Sequence, residues 1–182
     1  ARQAWAMIEP AHTHLLLIDF QARLMPAIHA GAEAVANGAR LLQAARLLGV
    51  PRSFTEQNPG KLGHTVPGIA PAPEETVLAK MSFDACRTPG LLDRLPPERH
   101  LVVAGCEAHV CVLQTVLGLL DHGRRVHVVA DAVGSRTPEN RTAGLKRMAR
   151  RGAETVTTEM VVFEWLQTAE HPRFREAIAL IK

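Results

Sequence analysis

The stretch "LVVAGCEAHVCVLQT", Leu101 to Thr115, joins an apolar run to a helical pattern and carries Cys106 and Cys111 across the join. With His100, the first part reads as a strand buried on both faces. The residues from His109 to His122 carry apolar side chains at helical spacing and stop at Gly123. The strand therefore ends at Gly105-Cys106, and Cys111 falls where the helix begins.

The same alternation runs outward in both directions. "HLLLIDF" (His14 to Phe20) is a strand, and Gly31 to Leu48 a helix stopped by Gly49. "VPRSFTEQ" is a short strand, followed by a Gly/Pro loop from Asn58 to Pro73. "ETVLAK" is a third strand and Thr88 to Leu95 a short helix. After the Leu101 strand come "RRVHVVAD" and a helix opened by Thr137 with Pro138 at its first position. "ETVTT" is a sixth strand and Val161 to Thr168 a last helix. Such alternation predicts a three-layer α/β/α Rossmann-like fold with a six-stranded, mainly parallel sheet covered on both faces. No linker, repeat or low-complexity segment interrupts it, so residues 1–182 are read as one domain.

Composition narrows the function classes. The formal charge of +3 is mild, and the arginines at 124–125 and 147–151 sit at helix ends without interleaved aromatics. They read as solvated faces and not as a nucleic-acid surface. No apolar run approaches the roughly 18 residues of a membrane span. Cys86, Cys106 and Cys111 are odd in number and no signal-like segment precedes them. Free thiols and a cytoplasmic location are the expectation. No G-x-G-x-x-G or P-loop follows the first strand, so no nucleotide cofactor is expected.

Ligands of parallel sheets bind beyond the C-terminal ends of the strands. Strand one ends at Asp19, strand three at Lys80 in a lysine-poor chain, and strand four just before Cys111. Alone, Asp19 also fits a helix cap and Lys80 a strand-end lysine reaching solvent. Together they fit a nucleophilic site: a thiol at a helix N-terminus, its pKa lowered toward roughly 3.5–7.5, a carboxylate to take its proton, and an ammonium to hold that carboxylate charged. Cys106 ends a buried strand and reads as inert. Cys86 reads as a small packing residue. Zinc on Cys106, Cys111, His109 and His122, or a 106–111 disulfide, are the weaker readings of the same cysteines.

The pieces "LLLIDFQ", "TEQNPGKLGHTVP", "LAKMSF", "AGCEAHVCVLQT" and "VHVVADAVGSR" occur in order along nearly the whole chain. In these the sequence resembles the isochorismatase-like cysteine hydrolases, closest to the isochorismatase-domain-containing branch. The resemblance implies a triad of Asp19, Lys80 and Cys111 acting on an amide or related C–N bond of a small molecule through a thioester. It also implies a non-proline cis peptide, placed by position at Glu107–Ala108, and an oxyanion hole formed by the N–H groups of Ala108 and Cys111. Phe20, Gln21, Gln57, Asn58 and Phe83 are the expected substrate-binding residues. Relatives with an Asp-x-His metal cluster carry it after strand two. Here that loop holds only His64, so no metal is expected. Homo-oligomers are the rule in the family, and the apolar last helices around Trp165 are the expected subunit contact. The alternative to a hydrolase is a relative that keeps the fold and serves as a binding or assembly protein.

Overall fold

The structure is a computed structural model and describes residues 6–182. Six strands, β1 Thr13–Ile18, β2 Arg52–Gln57, β3 Thr76–Lys80, β4 His100–Cys106, β5 Val126–Gly134 and β6 Glu154–Val156, form one sheet in the order β3-β2-β1-β4-β5-β6. Every pairing is parallel. Helices α1 Gly31–Leu48, α2 Pro59–Leu62, α3 Leu113–Asp121, α4 Pro138–Arg150, α5 Thr158–Leu166 and α6 Phe174–Ile181 complete it. None is long and apolar enough to cross a membrane, among the described residues.

Strand alternation divides the interior into two cores. In β1, Leu15 and Leu17 pack with α1, α5 and α6, whereas Leu16 and Ile18 pack with α3 and α4. In β4, Val102, Ala104 and Cys106 join the first core and Leu101 and Val103 the second. Each fully buried leucine or isoleucine contributes roughly 1.5–3 kcal/mol, so neither face can be given up. β1 and β4 lie at the centre, with Ile18 opposite Gly105. A Cβ on Gly105, whose φ is +137°, would come within 2.0 Å of the Ile18 carbonyl oxygen. Only glycine lets the two central strands meet there.

Some boundaries differ from the sequence reading. The helix expected at Thr88 to Leu95 is only a single turn, Leu92–Arg94, with another single turn, Ala85–Arg87, just before it. Pro89 disfavours a helical Thr88, and Gly90 turns left-handed at φ +90°, so no helix can run through. The helix expected from His109 opens as a π-turn, Ala108–Val112, before α3. β5 continues to Gly134 through a register shift against β4. α4 is capped as expected, with the Thr137 hydroxyl accepting from the Asn140 N–H at 3.2 Å. α5 starts earlier than Val161, where Thr157 caps it, and α6 is an additional helix. Trp165 is fully buried, its Nε1 donating to the Thr13 hydroxyl at 3.0 Å. It is a core residue, so the subunit contact expected of the last helices would fall on other side chains.

Candidate active site

Asp19 and Lys80 at their strand ends, and Cys111 in the turn after β4, are buried at one sheet edge. Asp19 follows β1 in the left-handed region, φ +54°, which aspartate tolerates better than most residues. Its N–H donates to the Thr55 carbonyl at 3.1 Å, so β2 fixes the turn. The carboxylate is held from two strands: the Thr55 hydroxyl donates to Oδ1 at 2.7 Å, and Lys80 Nζ donates to Oδ2 at 2.9 Å. Both side chains of the Asp19–Lys80 pair are fully buried.

Lys80 also donates to Gln57 Oε1 at 2.6 Å and to the carbonyls of Ser82 and Phe83 at 3.2 and 3.4 Å. Gln57 and Lys80 meet because they are register partners across β2 and β3. The Gln57 amide is oriented from its other end, where Nε2 donates to the Met81 carbonyl at 2.7 Å. Gln57 Oε1 lies 3.9 Å from Cys111 Sγ. Asp19, Lys80, Gln57 and the Cys111 sulfur therefore form one contiguous cluster.

The thiol does not sit in the electrostatic environment expected from the sequence. Burial, followed by the negative charge of Asp19, pushes Cys111 up to about 12, against the opposite pull of Lys80. Burial and the neighbouring carboxylate both favour the thiol form of Cys111 over the thiolate. Desolvation of a nearly buried sulfur disfavours its charged form. Burial also pushes Cys106 and Cys86 up to about 12. What separates Cys111 from Cys106 is the sheet: Cys106 lies in the α1/α5/α6 core and Cys111 in the α3/α4 core, where its sulfur meets Gln57 Oε1. All three cysteines are free.

The turn bearing Cys111 is built around Glu107, whose carbonyl accepts from the N–H groups of Val110 at 3.1 Å and Val112 at 3.2 Å. The non-proline cis peptide joins Cys106 to Glu107, one residue before the bond expected at Glu107–Ala108. Ala108 is fully buried against α4.

The expected substrate-binding residues divide. Gln57 is at the centre of the cluster. Asn58 follows it in a left-handed conformation as the N-cap of α2. Phe83 is 50% exposed, and its carbonyl accepts from Lys80 and from the Thr115 hydroxyl. Phe20 and Gln21 depart from expectation. The Phe20 ring is buried in the core against Gly38 of α1. Gln21 is fully buried with its amide spent on backbone, donating to the carbonyls of Gln57 and Gly63 and accepting from the Gln57 N–H. Both hold the site's frame, and neither offers a free polar group to a substrate. Thr55 and Glu107 were missed. The period-two pattern of β2 puts Thr55 on the same strand face as Gln57, and that was the available signal for it.

His64 is an exposed ring whose Nδ1 lies 3.0 Å from Glu56 Oε1, while Thr65 donates twice to Glu56 Oε2. His109 Nδ1 pairs with the Ser135 hydroxyl, and His122 Nδ1 with the Gly118 carbonyl. Among the described residues no group of three or more His, Cys, Asp or Glu side chains converges as a metal site. Beside Lys80 the edge strand β3 opens on a groove of about 410 Å³ lined mainly by Pro59, Ala79, Met81, Ser82, Arg87 and Thr88.

An all-parallel α/β sheet carrying this cluster at its C-terminal edge is the architecture of an isochorismatase-like hydrolase. The isochorismatase domain matches residues 13–160, and the chain belongs to that family. It is 39% identical over 175 residues to isochorismatase domain-containing protein 1 of Salmo salar, covering 95% of this chain and 62% of that protein. The chain thus spans under two thirds of that relative's length. Among solved structures, the MAR1 ribonuclease of Caenorhabditis elegans superposes with a TM-score of 0.92 at 38% identity, covering 97% of this chain and 92% of the other. The YcaC gene product of Escherichia coli, described as an octameric hydrolase of unknown specificity, superposes with a TM-score of 0.87 at 23% identity, covering 99% and 89%.

Proposed function

We propose that this chain is a cysteine hydrolase that cleaves an amide or related C–N bond of a small molecule. The observation that carries the reading is the contact chain from the buried Asp19–Lys80 pair, at 2.9 Å, through Gln57 Oε1 to Cys111 Sγ at 3.9 Å. Asp19 takes the thiol proton as the sulfur attacks the carbonyl carbon. A thiol held protonated until substrate arrives fits that role better than a standing thiolate, because the base lies beside it. Lys80, donating to Asp19 Oδ2 at 2.9 Å, balances the charge of that carboxylate. The N–H groups of Ala108 and Cys111 are the proposed donors to the oxyanion. The tetrahedral intermediate expels the amine, which leaves with the proton held by Asp19. Water, deprotonated by Asp19, then hydrolyses the thioester and restores the thiol.

The test is a carboxamide library screen followed by intact mass spectrometry. The expected result is turnover of at least one amide and a thioester adduct that maps to Cys111. Turnover retained by Cys111→Ser would end the reading. If no amide is turned over, the chain is a binding or assembly protein on the same fold.

A second reading follows from the ribonuclease description of the Caenorhabditis elegans relative. The cation of the cluster, Lys80, is wholly buried in its ion pair with Asp19, and the exposed Arg87 of the groove lies outside the cluster. No cleavage of single-stranded RNA by this chain is expected. The octameric relative supports a homo-oligomer. With Trp165 buried, Met160 and Phe163, each nearly half exposed, are the apolar residues that α5 would bring to such a contact.

A further inference from the structure

A second ionic cluster lies on the other side of the Cys111 turn. Glu107 is 8% exposed, and its carboxylate accepts from the backbone N–H of Arg136 at 3.0 Å and from Arg136 Nε at 3.1 Å. Its Oε2 lies 3.9 Å from His109 Nδ1, which pairs with the buried Ser135 hydroxyl at 2.9 Å. The Ser135 carbonyl in turn accepts from the His29 N–H. The backbone carbonyl of Glu107 is the same one that gathers the N–H groups of Val110 and Val112. One residue thus ties the exit of β5 to the turn that carries Cys111. α4 closes on the turn from outside: a Cβ on Gly144 would meet the Ala108 carbonyl oxygen at 2.9 Å and the His109 Cα at 3.0 Å.

We propose that Glu107 is a positioning residue for Cys111, and that the Arg136 guanidinium holds it in that role. The proposal rests on Cys111 being the nucleophile. Glu107 has no contact with Asp19 or Lys80 and needs none. Its carboxylate fixes one end of the turn and its carbonyl fixes the other, so the Cys111 sulfur is presented to Asp19 at a set distance. Arg136, 60% exposed, is free of the core. Its removal takes away the link without making a cavity. A near-attack geometry off by about 1 Å can cost on the order of 10²-fold in rate, which is the sensitivity such a tie protects.

The experiment uses the full chain with Glu107→Ala, Glu107→Gln, Arg136→Ala and the double variant Glu107→Ala/Arg136→Ala. On the carboxamide found by the screen, each single alanine variant is expected to lower kcat at least tenfold with KM held within threefold. The double variant should fall no further than the worse single, because both act through one link. Glu107→Gln, which can still accept the Arg136 N–H bonds, should recover part of the loss. Iodoacetamide labelling is mapped in parallel. The Cys111 rate should change at least threefold in the alanine variants, while Cys106 stays unlabelled and reports an intact core. Labelling of Cys106 in step with the loss of kcat would reduce Glu107 to a folding role and overturn the proposal. Unchanged kcat and unchanged Cys111 labelling would overturn it too. If the wild type turns over no carboxamide, the hydrolase reading falls separately, and the Cys111 labelling rates alone decide the Glu107 link.

Discussion

The two ends of the parallel sheet bury ionisable groups in opposite ways. At the C-terminal edge, Asp19 and Lys80 are fully buried as a pair, with Thr55, Gln57 and the carbonyls of Ser82 and Phe83 satisfying their remaining bonds. At the N-terminal edge the buried groups are histidines. His14 pairs by Nε2 with the Ser53 hydroxyl at 2.9 Å, and His127 Nε2 faces His100 Nδ1 at 3.4 Å. The Nδ1 atoms of His14 and His127 are buried without a hydrogen-bond partner, although the half-exposed Glu154 carboxylate comes within 3.8 Å of His127 Nδ1. Burial, then the cations Arg99, Arg124 and Arg52, holds His14 down at about 4. Burial, then His100 and Arg125, does the same for His127. One end keeps buried charge by pairing it, and the other avoids it by staying neutral. Only the first arrangement sets a carboxylate near a thiol, so the proposed chemistry falls at that end and the expected acid sensitivity at the other.

The largest effects should follow from breaking the chemical end. Cys111→Ala is expected to abolish amide turnover, and Asp19→Asn to lower kcat by about 10²–10⁴-fold. Steady-state rates on the screened substrate check both. Near-native turnover in either variant removes that residue from the mechanism.

Lys80→Ala goes further, because it leaves the Asp19 carboxylate buried and alone. A loss of about 3–5 kcal/mol in urea unfolding is expected together with the loss of activity. Asp19→Asn/Lys80→Met should regain most of that stability and none of the activity. If Lys80→Ala unfolds like the wild type, water reaches the pair and the site is wetter than its burial indicates.

The neutral end sharpens the comparison through pH. The unfolded chain takes up a proton on each imidazole near pH 6.5, whereas the folded His14 and His127 resist until about 4. Stability should therefore fall as pH drops through that window. Each group contributes on the order of 3 kcal/mol across the whole interval. Urea midpoints at pH 7, 5.5 and 4.5 should decline steeply for the wild type and less steeply for His14→Gln. Parallel slopes would refute the assignment. The smallest expected effect is none. Because His64 is spent on Glu56, overnight dialysis against a chelator should leave kcat unchanged. Loss of turnover restored by zinc or iron would contradict this.

Much of the fold was legible because its signals are local. Apolar runs ended by Asp19, Lys80 and Gly105-Cys106, and helices stopped at Gly49 and Gly123, depend on residues a few positions apart. The strand ends follow from them, and with them the short list of residues that could meet at the ligand edge. The family motifs added the roles proposed for those residues. Local pattern failed wherever a distant neighbour decided the outcome. Phe20 and Gln21 looked like pocket residues until α1 and the loop after β2 took up their side chains. The cis bond fell one residue earlier than motif position suggested. Trp165 lies in the helices expected to form a subunit contact, yet its own ring is buried and its N–H goes to Thr13, far away in sequence.

The sequence alone determined the strand-helix alternation, the parallel sheet it enforces, and the placing of Asp19, Lys80 and Cys111 at strand ends, because 2.0- and 3.6-residue periods are properties of a short backbone segment. Only the tertiary structure decided that Cys106 and Cys111 occupy opposite cores, that Gln57 bridges Lys80 to the sulfur, and that burial pushes the Cys111 thiol up. Those outcomes depend on sheet order, on register between distant strands and on desolvation summed over every neighbour, and none of these is encoded in a single stretch of chain.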